Sequence, residues 1–123
     1  MSLELASPAS GAARAGALPP PFACSCTNGG LDAARVYVGG ELDIATTPQL
    51  TKAFASLEPG YDTLVVDLSR CTFFASSGIS ILLQQSQRAK EEGFELVVIK
   101  APAEVQRMFD LAGLEDKLTF QDP

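Results

Sequence analysis

The sequence predicts an α/β domain built on a partly parallel sheet, and three observations predict it. Leu64-Val-Val66 with Leu68 is a short β-branched run without polar alternation, as a central strand covered by helices requires. Residues 47–57 and 76–92 instead carry apolar side chains at helical spacing. Strand-like and helix-like stretches then alternate along the chain, the order in which crossover helices join parallel strands.

Taken in order, residues 22–27 alternate weakly and read as an edge strand. Asn28-Gly29-Gly30 is a turn, and Arg35-Val-Tyr-Val38 restarts an extended run, so the two runs look like a hairpin. Gly39-Gly40 lets the backbone bend before Glu41-Leu42-Asp43. Thr46-Thr47-Pro48 starts a helix, with a hydroxyl cap and then proline in the first turn. Leu50, Ala53, Phe54 and Leu57 form its apolar face, and Pro59-Gly60 ends it.

A second helix begins at Ser76 or Ser77 and runs to Glu92, with Ile79, Leu82, Leu83, Ser86 and Ala89 inward and Gly93 as its stop. Residues 94–99 form another buried strand. Pro102 opens a third helix whose Val105, Met108, Phe109 and Ala112 share a face, and Gly113 closes it. Residues 118–120 add a last short strand. There is no internal repeat.

A chain of 123 residues is one domain, and its first part reads differently from the rest. Residues 1–21 are rich in Ala, Gly, Ser and Pro and show no periodic apolar face, so they read as a disordered tail. Without a basic start or a continuous apolar core they make a poor signal peptide. Residues 22–123 form the domain. A formal charge of -6 disfavours nucleic acid and anionic membrane surfaces, which both call for basic patches. No apolar run approaches the ~20 residues that cross a bilayer. A protein partner or small ligand fits better.

Three cysteines, Cys24, Cys26 and Cys71, make an odd count that reads as reduced thiols in the cytoplasm. Cys24 and Cys26 would share one side of an extended segment, as a metal or redox pair does, but two small packed side chains are the commoner use of free cysteine. The chain has no histidine. That removes Ser–His and Cys–His nucleophile pairs and histidine-based metal sites. Glu41 and Asp43 read as a solvated charge pair, since no partner residues complete an acid–base site. Cys71 has no base beside it, and the glycines lack the spacing of a phosphate-cradling loop. The residues describe no enzyme and call for no cofactor.

The break at Ala75-Ser-Ser-Gly78 carries the functional question. Two hydroxyls sit where a strand feeds a helix, whose unpaired N–H groups and partial positive charge favour an anion. Ser76 or Ser77 either caps the helix, for about 1 kcal/mol, or carries a phosphate that the helix end stabilises. Gly78 is expected to admit a partner's backbone, so that Gly78→Val would weaken binding while the domain still folds.

Gly40-Glu-Leu-Asp43, Leu64-Val-Val-Asp-Leu-Ser69, Thr72-Phe-Phe-Ala-Ser-Ser-Gly78 and Val105-Gln-Arg-Met-Phe-Asp-Leu-Ala-Gly-Leu114 stand in the order and spacing of STAS-domain anti-sigma factor antagonists. The chain resembles that family over residues 22–120. The resemblance implies a single STAS-like domain, a small mixed β-sheet with helices packed mainly on one face. It implies a non-enzymatic cytoplasmic protein that binds an anti-sigma factor with serine kinase activity and so frees a sigma factor. Phosphorylation of Ser76, the first serine of the pair, would end binding, and a serine phosphatase would restore it.

Asp43, Ala75, Ser76, Ser77 and Gly78 would form the partner-binding surface. Ala75 stands where the family pattern has aspartate, a loss that removes a capping bond, a contact to the kinase, or a charge that repels a phosphate on Ser76. Other STAS proteins are adaptor subunits of lipid-transport ABC systems or stress-signalling complexes, which is the alternative reading. A nucleotide-sensing module is a third and weaker one, for want of a phosphate loop or basic pocket.

Overall fold

In the computed structural model, which describes residues 23–27 and 33–123, five strands form one sheet in the order β1-β2-β3-β4-β5. They are β1 (Ala23–Thr27), β2 (Ala33–Leu42), β3 (Thr63–Phe74), β4 (Glu95–Ile99) and β5 (Thr119–Gln121). β1 and β2 pair antiparallel as a hairpin, whereas β2–β3, β3–β4 and β4–β5 are parallel. The sheet is therefore mixed. The tail at 1–21 and the turn at 28–30 lie outside the described residues, as do the side chains of Cys24 and Cys26.

Three helices join the parallel strands: α1 (Thr47–Ala55), α2 (Ser76–Glu92) and α3 (Ala103–Leu111), the last followed by a 3-10 turn at Leu114–Asp116. Their apolar sides enter a single cluster with Ala34, Val36, Leu64, Val66, Leu96 and Val98 of the central strands. The opposite side of β2 and β3 carries Arg35, Tyr37, Val65 and Asp67, none of them buried. All three helices thus cover one face of the sheet.

Several local expectations change. β2 does not bend away at Gly39-Gly40; it runs on to Leu42, with Gly40 at φ 78°. Pairing with β3 on its other side holds it in the sheet. α2 is rotated from its predicted face: Gly78, Ile81, Leu82 and Ala89 are buried, while Ile79 and Leu83 are only partly so. On α3, Val105, Gln106 and Phe109 face inward and Ala112 is exposed, because the helix ends at Leu111 and Gly113 turns the chain at φ 75°. Gln106 is polar yet buried, and its side-chain oxygen accepts the Ala101 N–H at 3.1 Å.

Candidate partner-binding site

β3 is much longer than the run 64–68 that its apolar residues mark. It continues to Phe74 by absorbing an extra residue at each of two register shifts against β2, between Tyr37 and Gly39 and between Gly40 and Glu41. Each extra residue flips which side chains face inward. Leu64, Val66 and Leu68 point into the core, then Cys71, then Phe74. The second shift leaves Phe73 facing solvent and Phe74 packed, and brings Ala75 to the end of β2, where its N–H donates to the Leu42 carbonyl at 2.8 Å. One residue, Ala75, separates strand from helix.

Ala75 is the N-cap of α2, extended at φ -73° and ψ 159°, and Ser76 and Ser77 are already helical. Neither serine caps the helix, which corrects that reading. The capping position belongs to a side chain that cannot accept a hydrogen bond. The Ser76 and Ser77 N–H groups at the helix start have no intrahelical acceptor. Ala75→Asp is therefore expected to stabilise the domain by about 1 kcal/mol, through a cap bond and the helix dipole, read as a higher denaturant midpoint.

The two serines differ sharply. Ser76 is exposed, and its hydroxyl makes no hydrogen bond among the described residues. Ser77 is half-buried, with its Oγ 2.8 Å from Thr47 Oγ1. Thr47 spends its proton on the Asp43 carbonyl at 2.7 Å, so Ser77 is the donor. The relay Ser77–Thr47–Asp43 ties the start of α2 to the start of α1 and to the turn before it. Thr47→Val, which keeps the shape and removes the hydroxyl, is expected to cost about 1 kcal/mol. Combined with Ser77→Ala, its cost in denaturant unfolding should be less than additive, because both remove one bond.

Asp43 lies just past β2, in a turn that it organises. Its Oδ1 accepts the N–H of Ala45 at 3.0 Å and of Thr46 at 2.9 Å, while Thr46 Oγ1 accepts the Asp43 N–H at 2.9 Å. Thr46 therefore does not cap α1 with its hydroxyl, as predicted; the hydroxyl bonds back to Asp43 instead. The backbone bond from Thr46, with the Thr46 hydroxyl, holds the Asp43 carboxyl below its ordinary value of 3.8. A depressed carboxyl stabilises the fold above its ordinary range, and that contribution disappears as pH falls through the lowered value. Asp43 is thus a loop anchor in its ionised form. The signal for it was present in the sequence as an aspartate three residues before a threonine, an Asx-turn pattern.

Gly78 does not serve the surface in the way its position indicates. It is buried, and a Cβ there would overlap Leu42 Cδ2 and lie 2.8 Å from the Phe74 ring. The space beside the glycine belongs to the protein's own core. Of the five residues predicted for the partner surface, Ser76 is exposed, while Asp43, Ala75 and Ser77 are half-buried around it. Gly78 is their support.

The remaining candidates supply no chemistry at this end of the sheet. Cys71 is buried, donates to the Phe73 carbonyl at 3.2 Å, and is pushed up to about 11 by desolvation, so it stays a protonated thiol at neutral pH. Two shallow clefts of about 200 and 360 Å³, one holding Lys90 and Lys117 and the other Lys100 and Asp110, include neither Asp43 nor residues 75–78. Among the described residues no group of three or more His, Cys, Asp or Glu is arranged to hold a metal, and no helix is long and apolar enough to cross a membrane.

Comparison with known proteins places this geometry among relatives. The family model described as "Mlab, STAS domain" matches residues 27–119. The chain is 27% identical over 86 residues to an anti-sigma-B factor antagonist of Staphylococcus epidermidis, covering 69% of this chain and 80% of that protein. It is equally identical over 83 residues, 27%, to the corresponding Staphylococcus aureus protein, with 67% and 77% covered.

Among solved structures, an anti-sigma factor antagonist from Mycobacterium paratuberculosis superposes with a TM-score of 0.69 at 30% identity, over 84% of this chain and 87% of that one. The anti-sigma factor antagonist SpoIIAA in its unphosphorylated form gives 0.68 at 16% identity, over 80% and 87%, a likeness of fold.

Proposed function

Because this chain belongs to the STAS-domain family, we propose that it is an anti-sigma factor antagonist that binds an anti-sigma factor with serine kinase activity, releases a sigma factor, and is switched off by phosphorylation of Ser76. The observation that carries the reading is the contrast between the serines. Ser76 offers a free, exposed hydroxyl at the start of a 17-residue helix, whereas the Ser77 hydroxyl is committed to Thr47. A kinase needs an accessible oxygen, and a phosphate on Ser76 meets unpaired N–H groups and the positive end of the helix dipole. The two antagonist relatives and the antagonist structure at 30% identity support the binding role.

The adaptor reading has two observations in its favour. Ala75 at the cap marks a departure in the segment that would be phosphorylated, and the matching family description names Mlab. Affinity capture from the native cytoplasm, with wild-type protein and Ser76→Asp as baits, separates the two. Recovery of an ATP-binding anti-sigma factor by wild type and its loss with Ser76→Asp supports the switch. Recovery of transporter subunits by both baits establishes the adaptor and rejects the antagonist.

A further inference from the structure

We infer that Ile44 is the apolar anchor of the partner surface, presented on the Asp43 turn to an apolar recess bordered by a basic group of the anti-sigma factor; the inference rests on the proposed function above. Ile44 is 80% exposed, the most exposed of the four large hydrophobic side chains that stand open to solvent among the described residues. Exposed apolar residues scattered singly are ordinary. This one differs in how it is held and in what surrounds it.

The turn that carries Ile44 is locked from both sides. Asp43 Oδ1 binds the backbone N–H groups of Ala45 and Thr46, Thr46 Oγ1 binds the Asp43 N–H, and the Asp43 carbonyl accepts from Thr47 N–H at 3.0 Å and from the Thr47 hydroxyl at 2.7 Å. Through Thr47 the turn is bonded to Ser77, next to Ser76. Ile44 therefore sits at a set position relative to the phosphoacceptor, and its backbone loses little freedom on docking. A second apolar side chain is at the same end of the sheet: Phe73, 49% exposed, paired in register with Glu41.

Charge identifies the occupant. Residues 41–51 and 72–87, whose first residues meet at this end, contain two carboxylates, Glu41 and Asp43, and no lysine or arginine; the basic residues that flank them in sequence are Lys52, Arg70 and Arg88. Asp43 turns only Oδ1 to the loop, and its Oδ2 takes no hydrogen bond among the described residues. An apolar knob flanked by an ionised, half-satisfied carboxylate is complementary to an apolar recess with a basic rim.

The test uses the full chain and the purified anti-sigma factor identified by capture, with affinities measured by calorimetry. Ile44→Ala is expected to lower affinity by about 10- to 100-fold, the worth of a buried aliphatic side chain, with an unchanged thermal midpoint. Leu111→Ala, at 79% exposure on α3, is the matched control and should bind as wild type. Ile44→Lys should bind more weakly than Ile44→Glu, because the rim it meets is basic. Equal binding by wild type and Ile44→Ala overturns the anchor while leaving the proposed function standing. Stronger binding by Ile44→Lys than by Ile44→Glu overturns the basic rim. Failure of wild-type protein to bind any anti-sigma factor of its own organism overturns the proposed function, and the anchor with it.

Discussion

Gly78→Val is expected to destabilise the domain by about 3 kcal/mol, the upper end of ordinary overpacking, and to lower its denaturant midpoint accordingly. The first added carbon already overlaps Leu42 Cδ2 and stands 2.8 Å from Phe74 Cε2 and Cζ. Neither neighbour has room to retreat: Leu42 is 0% and Phe74 1% exposed, and Phe74 is stacked at a tilt on Phe109 with ring centroids 5.2 Å apart. Replacing glycine in a helix ordinarily gains up to about 1 kcal/mol of propensity, so Gly78→Ala should be the milder variant and still lose stability. Gly78→Ala combined with Leu42→Val should cost less than the two changes added together, because the valine removes the atom that the new methyl strikes. A Gly78→Val protein of unchanged midpoint would show that α2 shifts outward freely and that the packing at its first turn is loose.

Ser76→Asp and phosphorylation of Ser76 are each expected to weaken anti-sigma factor binding by about 100-fold, with little change in the fold. A docking surface formed against a neutral hydroxyl at this position has to desolvate an introduced charge that it is not shaped to pair, a cost of about 2–5 kcal/mol for buried interfacial charges. This chain supplies no lysine or arginine in residues 72–87 to offset it. Within the isolated domain the same charge is met by the helix start and by solvent, so the thermal midpoint should hold. Ser76→Ala should bind normally and resist modification. Incubation with the kinase and ATP, followed by mass spectrometry, decides the acceptor. Phosphate on Ser77 would require the Thr47 bond to break and would overturn the assignment. No phosphate on either serine would mark Ala75 as the sign of a chain that has left the switch behind.

Much of this was legible in the sequence. The strand–helix order, the helix stops at Gly93 and Gly113, and the junction at Ala75-Ser-Ser-Gly78 all follow from apolar period and backbone chemistry, which are local. The errors have a common cause. Gly39-Gly40 reads as a break because glycine allows one, yet pairing with β3 carries the strand on to Leu42. Ser76 and Ser77 read as caps because serine favours the position, yet the second bulge in β3 carries the strand to Phe74 and leaves Ala75 as the cap. Gly78 reads as a surface residue because it follows two polar ones, yet Leu42 and Phe74 close over it.

By itself, then, the sequence determined the α/β class, the order of its elements, the family, and the pair of serines in which an acceptor is to be sought. Those properties depend on residue type and spacing, which act over a few positions along the chain. Only the tertiary structure decided which serine hydroxyl is free, which residue caps α2, why residue 78 is glycine, and that the Asp43 turn is bonded through Thr47 to Ser77. Each of these turns on a contact between residues some 30 positions apart, such as the bond between Thr47 and Ser77. Such contacts arise when β2 and β3 pair in one particular register, and no local propensity encodes that register.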